Sequence, residues 1–496
     1  MSLRVLYENK QFENPIKYAF DVLLTTLGVD YQIDHYGEAR FEISEKDIYI
    51  LYGEEDILPQ INFKVHIHPS TFFGQDYLRP ESMPRLPLHR VNIEGRDIPI
   101  LYYGNHKLVG SLGVSVKEWD GQKVISTHLD LIASSFFLLS RYEEVISTKR
   151  DEHGRFPAGE SLLYKEGLLC HPIVNDYMEL LWNWIDSFSL NIKRRPLWPD
   201  GKQFAVCLTH DVDQVKKWRL LTILRQAKYC AALSLQRRTF SSSIKRGLKV
   251  IESLIKGENP YWNFVQIVEK EKEYGFSSSF YFLAGKHCIR DGDYNINNDE
   301  NVKTLIRELV SRGVEVGLHG SYTSYNNGQR LSQELEALAR LVGDVHGTRQ
   351  HYLRLDLLKT FAIQEEIGVE YDTTLGFAQN EGWRSSFSFP YHPWNFQQNS
   401  PFRILEIPLT IMDGTLGEAQ YEGLTAEEGW KATENILSGA EKSKGCATLL
   451  WHNSYFDELT APGFGKVYWE ALNWICEHNG WGTSGYEIYK WWCKKR

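Results

Sequence analysis

The chain lacks a run that could cross a membrane. None of its 496 residues belongs to a window of 18 uninterrupted apolar residues, and the nearest approach, Ile132 to Leu139, is too short to span a bilayer. The N-terminus, MSLRVLYENKQFENP, has no positive segment followed by an apolar core, the pattern of a secretory leader. Cysteine is sparse. The seven residues show no CxxC spacing, which excludes a disulfide framework and a cysteine-rich zinc site and fits free thiols in a reducing compartment. A basic excess is missing too: the net charge of −9 excludes a generally basic nucleic-acid binder. No internal repeat or low-complexity tract is present. With 42% hydrophobic and 24% charged residues, the composition excludes a disordered chain, a collagen and a coiled coil. The reading is a soluble cytoplasmic protein.

Aromatic residues are plentiful at 13%, which fits large cores. The length predicts two domains. The stretch Arg194–Lys202 carries two prolines and a glycine between a helical run, Val174–Ile185, and a β-rich one. It sets the expected boundary near residue 200, giving domains 1–199 and 200–496. The first opens with strand-like runs (RVLYE, YQIDHY, DIYILYG) and ends in helices, as a mixed α/β accessory domain does. Its charged segments Arg141–Glu144 and Asp151–Arg155 read as solvated loops.

The second part alternates. Apolar runs at Phe204–Thr209, Ser279–Ala284, Val314–Leu318, Thr348–Leu353, Val369–Thr373, Ile404–Thr410 and Ala447–Trp451 are separated by helical patterns such as Val302–Val310, Leu331–Leu341 and Ala426–Ala440. This predicts an α/β fold, a deformed (β/α) barrel of about seven strands. Chemistry-bearing residues stand at the C-terminal ends of several of these runs, where parallel α/β folds assemble their sites.

The first run ends Thr209-His210-Asp211-Val212-Asp213. Residues two apart on a strand point the same way, so both carboxylates can face one cavity. Two such acids do not both ionise comfortably unless a cation lies between them. His319 ends the third run, Arg349 and His351 alternate onto one face of the fourth, and His452 follows the seventh. Aspartate and histidine together suit a divalent metal, Zn²⁺ above all, while leaving positions for water and substrate.

The order THDVD, EVGLHGSY, RQHYLR, YDTTLGF, LLWHN resembles the polysaccharide deacetylases, the NodB-homology group or carbohydrate esterase family 4, in a branch with an extra N-terminal domain. The resemblance spans about residues 204–453. It implies a metal-dependent hydrolase that removes N-acetyl groups from an amino-sugar glycan or glycolipid. Asp211 would be the general base, Asp213 and His319 metal ligands, and Arg349 the group holding the base. Asp372 would orient the catalytic histidine, and His452 would be the general acid, with Leu449 and Trp451 bordering the acetyl pocket. The family's second motif usually carries another histidine four residues after the first, where this chain has Thr323. His351 is the expected replacement, ahead of His346 and His392, with a water filling the gap as the other alternative. Two other readings stand beside this one: a related C–N hydrolase of a small amide, and a glycan-binding protein that has lost turnover.

Between Lys216 and Lys256 there are eleven Lys and Arg against one acid, Glu252. The stretch reads as an amphipathic, solvated helical face. A sharper expectation is peripheral contact with an anionic membrane or glycan through residues 216–256. Trp383 and the segment Phe389–Trp394 could stack on sugar rings or pack a long loop.

Overall fold

The computed structural model describes residues 2–38, 44, 47–58, 61–93, 95–104, 113–119, 122–218, 252 and 256–495. Most of the basic stretch, and with it the expected membrane contact, lies outside the described residues.

The N-terminal part contains β1 (Leu3–Tyr7), β2 (Tyr31–His35), β3 (Ile48–Tyr52), β4 (Phe63–Ile67), a hairpin of β5 (His89–Ile93) and β6 (Arg96–Ile100), then β7 (Val114–Trp119) and β8 (Gln122–Thr127). Six of these form a sheet in the order β2-β1-β3-β4-β8-β7, parallel except for β7. Helices Glu13–Leu27, Leu131–Leu139 and Ile173–Asp186 bury apolar stripes against it.

The C-terminal part contains β9 (Ala205–Val212), β10 (Ser279–Leu283), β11 (Glu315–Gly320), β12 (Gly347–Gln350), β13 (Tyr371–Asp372), a small ladder of β14 (Trp394–Asn395) and β15 (Ser400–Pro401), then β16 (Leu405–Glu406), β17 (Ile411–Met412), β18 (Cys446–Leu450) and β19 (Trp481–Thr483). The main sheet is parallel, in the order β16-β13-β12-β11-β10-β9-β18-β17, with β19 beside the start of β9. Its two outermost strands belong to one run. Leu405 pairs with Tyr371 at one edge and Ile411 with Leu449 at the other. Six residues of extended chain reach at most ~20 Å, whereas the edges of a flat eight-stranded sheet would stand ~34 Å apart. The sheet is therefore curled, as a deformed barrel is. Helices between the strands start on side-chain caps: Asp299 before Glu300–Ser311, Asn327 before Gly328–Val342, and a capping box of Thr425 and Glu428 before Ala426–Lys442.

Two expectations need correcting. The fourth run does not continue as a strand to Leu353: β12 stops at Gln350 and His351–Leu353 form a turn in which Tyr352 (φ 61°) and Leu353 (φ 53°) are left-handed. The segment Arg141–Glu144 is not a solvated loop. All four residues are buried. Arg141 Nε and Arg384 Nε each donate to Glu144 Oε1 at 2.8 Å, Arg384 Nη2 donates to Oε2 at 2.5 Å, and Arg141 Nη2 donates to Glu143 at 2.8 Å. Burial pushes the Glu144 carboxyl up, but the two guanidiniums outweigh it and hold it at about 2. This network ties the N-terminal part to the loop after β13. Glu144→Ala leaves two buried cations without their shared anion, so it should cost about 3–5 kcal/mol of stability in a denaturant melt.

Trp383 and Trp394 are also core residues rather than stacking platforms. Trp383 donates from Nε1 to the Cys446 carbonyl at 3.1 Å, and Trp394 packs on Tyr18 and Phe136 of the N-terminal part.

Candidate metal centre

Alternation along β9 aims Thr209, Asp211 and Asp213 at the inside of the curl and His210 at the helices outside, where its Nε2 meets Glu271 at 2.8 Å. Asp211 is buried, and its Oδ1 accepts from Arg349 Nη1 at 2.9 Å. Arg349 is itself fixed by Thr209 Oγ1 (2.9 Å) and the Thr373 carbonyl (3.0 Å), with its guanidinium over the Tyr281 ring. Asp211 Oδ2 is 3.6 Å from His319 Nε2.

Asp213 lies between three histidines. Its Oδ1 is 3.3 Å from His319 Nε2 and 3.4 Å from His351 Nε2, and its Oδ2 is 3.6 Å from His452 Nε2. Among the described residues, Asp213, His319 and His351 are the set whose possible ligand atoms all lie within 4.8 Å of one another. His319 donates through Nδ1 to the Arg349 carbonyl at 2.8 Å, which turns the Nε2 lone pair toward Asp213. Buried Asp213 Oδ1 receives no well-directed hydrogen bond. A lone pair facing a buried carboxylate oxygen is unfavourable unless a cation or a proton lies between. Tetrahedral zinc ligands at ~2.0–2.1 Å stand ~3.3–3.4 Å from one another, which the two Asp213–histidine distances match.

Burial lowers the basicity of His351, but the Asp213 and Asp291 carboxylates outweigh it and hold the imidazole at about 9. Asp291 was invisible to sequence reasoning. Its Oδ1 is 3.9 Å from His351 Nδ1, and its oxygens accept from the backbone N–H of Tyr322, His287 and Cys288.

The partner of His452 is a further correction. Its Nδ1 meets Asp413 Oδ1 at 2.7 Å, and its backbone N–H donates to Asp413 Oδ2 at 2.5 Å. Asp372 is occupied elsewhere, accepting from Thr348, Thr374 and Gln364. The sixth run bends away from β13 before reaching Asp413, which puts the aspartate after β17 beside β18. The signal available was an aspartate directly after an apolar run, Ile411-Met412-Asp413. Asp413 and Asp213 together outweigh burial and keep His452 protonated up to about 10.

Leu449 and Trp451 point outward into the helix layer, with Trp451 Nε1 donating to Phe464. The strand's period of two instead puts Leu450 on the inner face, in a small apolar cluster with Leu353, Ala378 and Leu409, bordered by Met412 and Tyr421. Thr323, where the resemblance expects a histidine, accepts from Arg330. His346 pairs with Glu370 at 2.6 Å and stacks on Tyr486 at the far end of the strands, and His392 bonds the Ile404 carbonyl. Neither joins the cluster.

Residues 4–189 match a family of unknown function, DUF7033. No curated protein matches the sequence. Solved structures with which the chain overlaps include a provisionally assigned polysaccharide deacetylase from Mycobacterium smegmatis (18% identity, 59% of this chain and 91% of that one, TM-score 0.39). A second comes from Pseudomonas aeruginosa PAO1 (13%, 62% and 96%, TM-score 0.41). The PuuE allantoinase overlaps similarly (12%, 61% and 94%, TM-score 0.41).

Proposed function

We propose that the protein is a metal-dependent hydrolase of amide C–N bonds that releases acetate from an N-acetylated amino-sugar glycan, with residues 200–496 carrying the chemistry and 1–199 as an accessory part. The observation that carries this reading is the convergence of Asp213, His319 and His351, with Asp211 on one side and His452 on another. Zn²⁺ in the three-residue set would polarise the amide carbonyl and lower the pKa of water to about 7. Asp211, fixed by Arg349, takes the proton from the attacking water. His452, kept charged by Asp413, gives a proton to the departing amine. The apolar cluster around Leu450 accommodates the acetyl methyl. The products are acetate and a free amine.

The test is acetate release from N-acetyl chito-oligosaccharides by zinc-loaded and chelator-stripped protein. Release by the loaded form, lost on chelation and restored by metal, supports the reading. Stoichiometric metal without acetate release, together with hydrolysis of a small cyclic or linear amide, would replace the glycan by that class of substrate. The His452 partner is tested separately. Asp413→Asn should lower kcat/KM by about 10²-fold through loss of the charged acid. Asp372→Asn, remote from His452, should leave kcat/KM within about threefold.

A further inference from the structure

We infer that the N-terminal part completes the metal centre: the loop Asp151–Arg155 is a positioning element that holds the turn carrying His351. The inference rests on the metal-site reading above. His351 sits on the left-handed turn Tyr352–Leu353, a conformation that residues with side chains adopt only where surrounding contacts impose it. The polar contacts on Tyr352 itself come from the other half of the chain. Arg155, buried and paired through Nε with Asp151 Oδ2 at 2.8 Å, donates from Nη1 to the Tyr352 carbonyl at 2.9 Å. The His153 ring lies 4.8 Å from the Tyr352 ring, and its Nδ1 meets the Tyr322 hydroxyl at 3.0 Å. From the other side, Arg354 Nε donates to the His153 carbonyl at 2.7 Å while its guanidinium stacks on Tyr322 and Tyr325. Asp151 Oδ1 closes the loop by accepting the backbone N–H of His153 and of Arg155, each at 2.9 Å. The loop so fixed pins the turn on both sides of Tyr352, and the turn sets where the His351 ring stands relative to Asp213 and His319. Here the metal ligand that replaces the missing histidine is steadied by a residue some two hundred positions away.

Co²⁺ binding to the full-length protein tests this, read as affinity and as the intensity of the visible d–d bands. Neither readout depends on any substrate. Arg155→Ala should weaken Co²⁺ binding by about 10- to 100-fold and change the band envelope, both read at a temperature where the metal-free variant is folded, because the change also removes a buried ion pair with Asp151. Arg155→Lys, which keeps one donor for the Tyr352 carbonyl, should recover most of the affinity. Because the loop acts through His351, Arg155→Ala added to His351→Ala should weaken binding no further than His351→Ala alone. If Arg155→Ala does not fold, Arg155→Gln takes its place in the same comparisons. Parent-like affinity and bands in these variants, or multiplicative losses in the double variant, overturn the inference. A parent that binds no Co²⁺ removes the metal centre itself, a failure distinct from a loop that does not matter to a centre that binds.

Discussion

Asp211→Asn should retain the metal stoichiometry of the parent and lose about 10²–10⁴-fold in kcat/KM, the range expected for removing a positioned proton acceptor. The carboxylate is not one of the three groups that converge most closely, and its Oδ2 stands 3.6 Å from His319 Nε2, at the edge of the cluster rather than within it. Asparagine keeps the size and an oxygen for Arg349, but it cannot take a proton from water at neutral pH. The change also leaves the buried Arg349 guanidinium without its counter-charge, which costs about 3–5 kcal/mol of stability. Rates are therefore compared at a temperature where both proteins are folded, with metal content measured on the same samples. Parent-like kcat/KM in the variant would place the base elsewhere.

What was legible in the sequence followed from local periodicity. The apolar runs that become β9, β10, β11 and β18 each stand in a parallel sheet, buried on both faces, and so read as continuous apolar stretches. The positions of Asp211, Asp213, His319 and His452 at strand ends follow directly, because a strand's end is set by its own residues. What was not legible depended on partners far along the chain. Arg141–Glu144 looks like a solvated charge run because its neutralising partner, Arg384, is 240 residues away. Asp413 was hidden by a bend: one extended run serves two sheet edges, and only the curl decides which aspartate meets His452. His351 reached the cluster for a reason other than strand alternation. It lies beyond the end of β12, on a turn whose left-handed residues carry no glycine to announce them.

Asp213→Ala should have the largest effect on the metal. Asp213 supplies the only carboxylate of the converging set, and its Oδ1 faces both imidazoles at 3.3 and 3.4 Å. Removing it leaves two neutral ligands, so affinity should fall by more than the ~10–100-fold typical of an outer partner. The consequence for stability can be read without substrate. A cation at 100 times its Kd stabilises the native state by about 2.7 kcal/mol, because it binds the folded form and not the unfolded one. Zinc should therefore raise the parent's Tm by several degrees and leave that of Asp213→Ala unmoved, whereas Asp211→Asn, which keeps the set intact, should respond as the parent does. A zinc-dependent rise in Asp213→Ala equal to the parent's would mean that the ion sits elsewhere in the chain and that the convergence of Asp213, His319 and His351 has another cause.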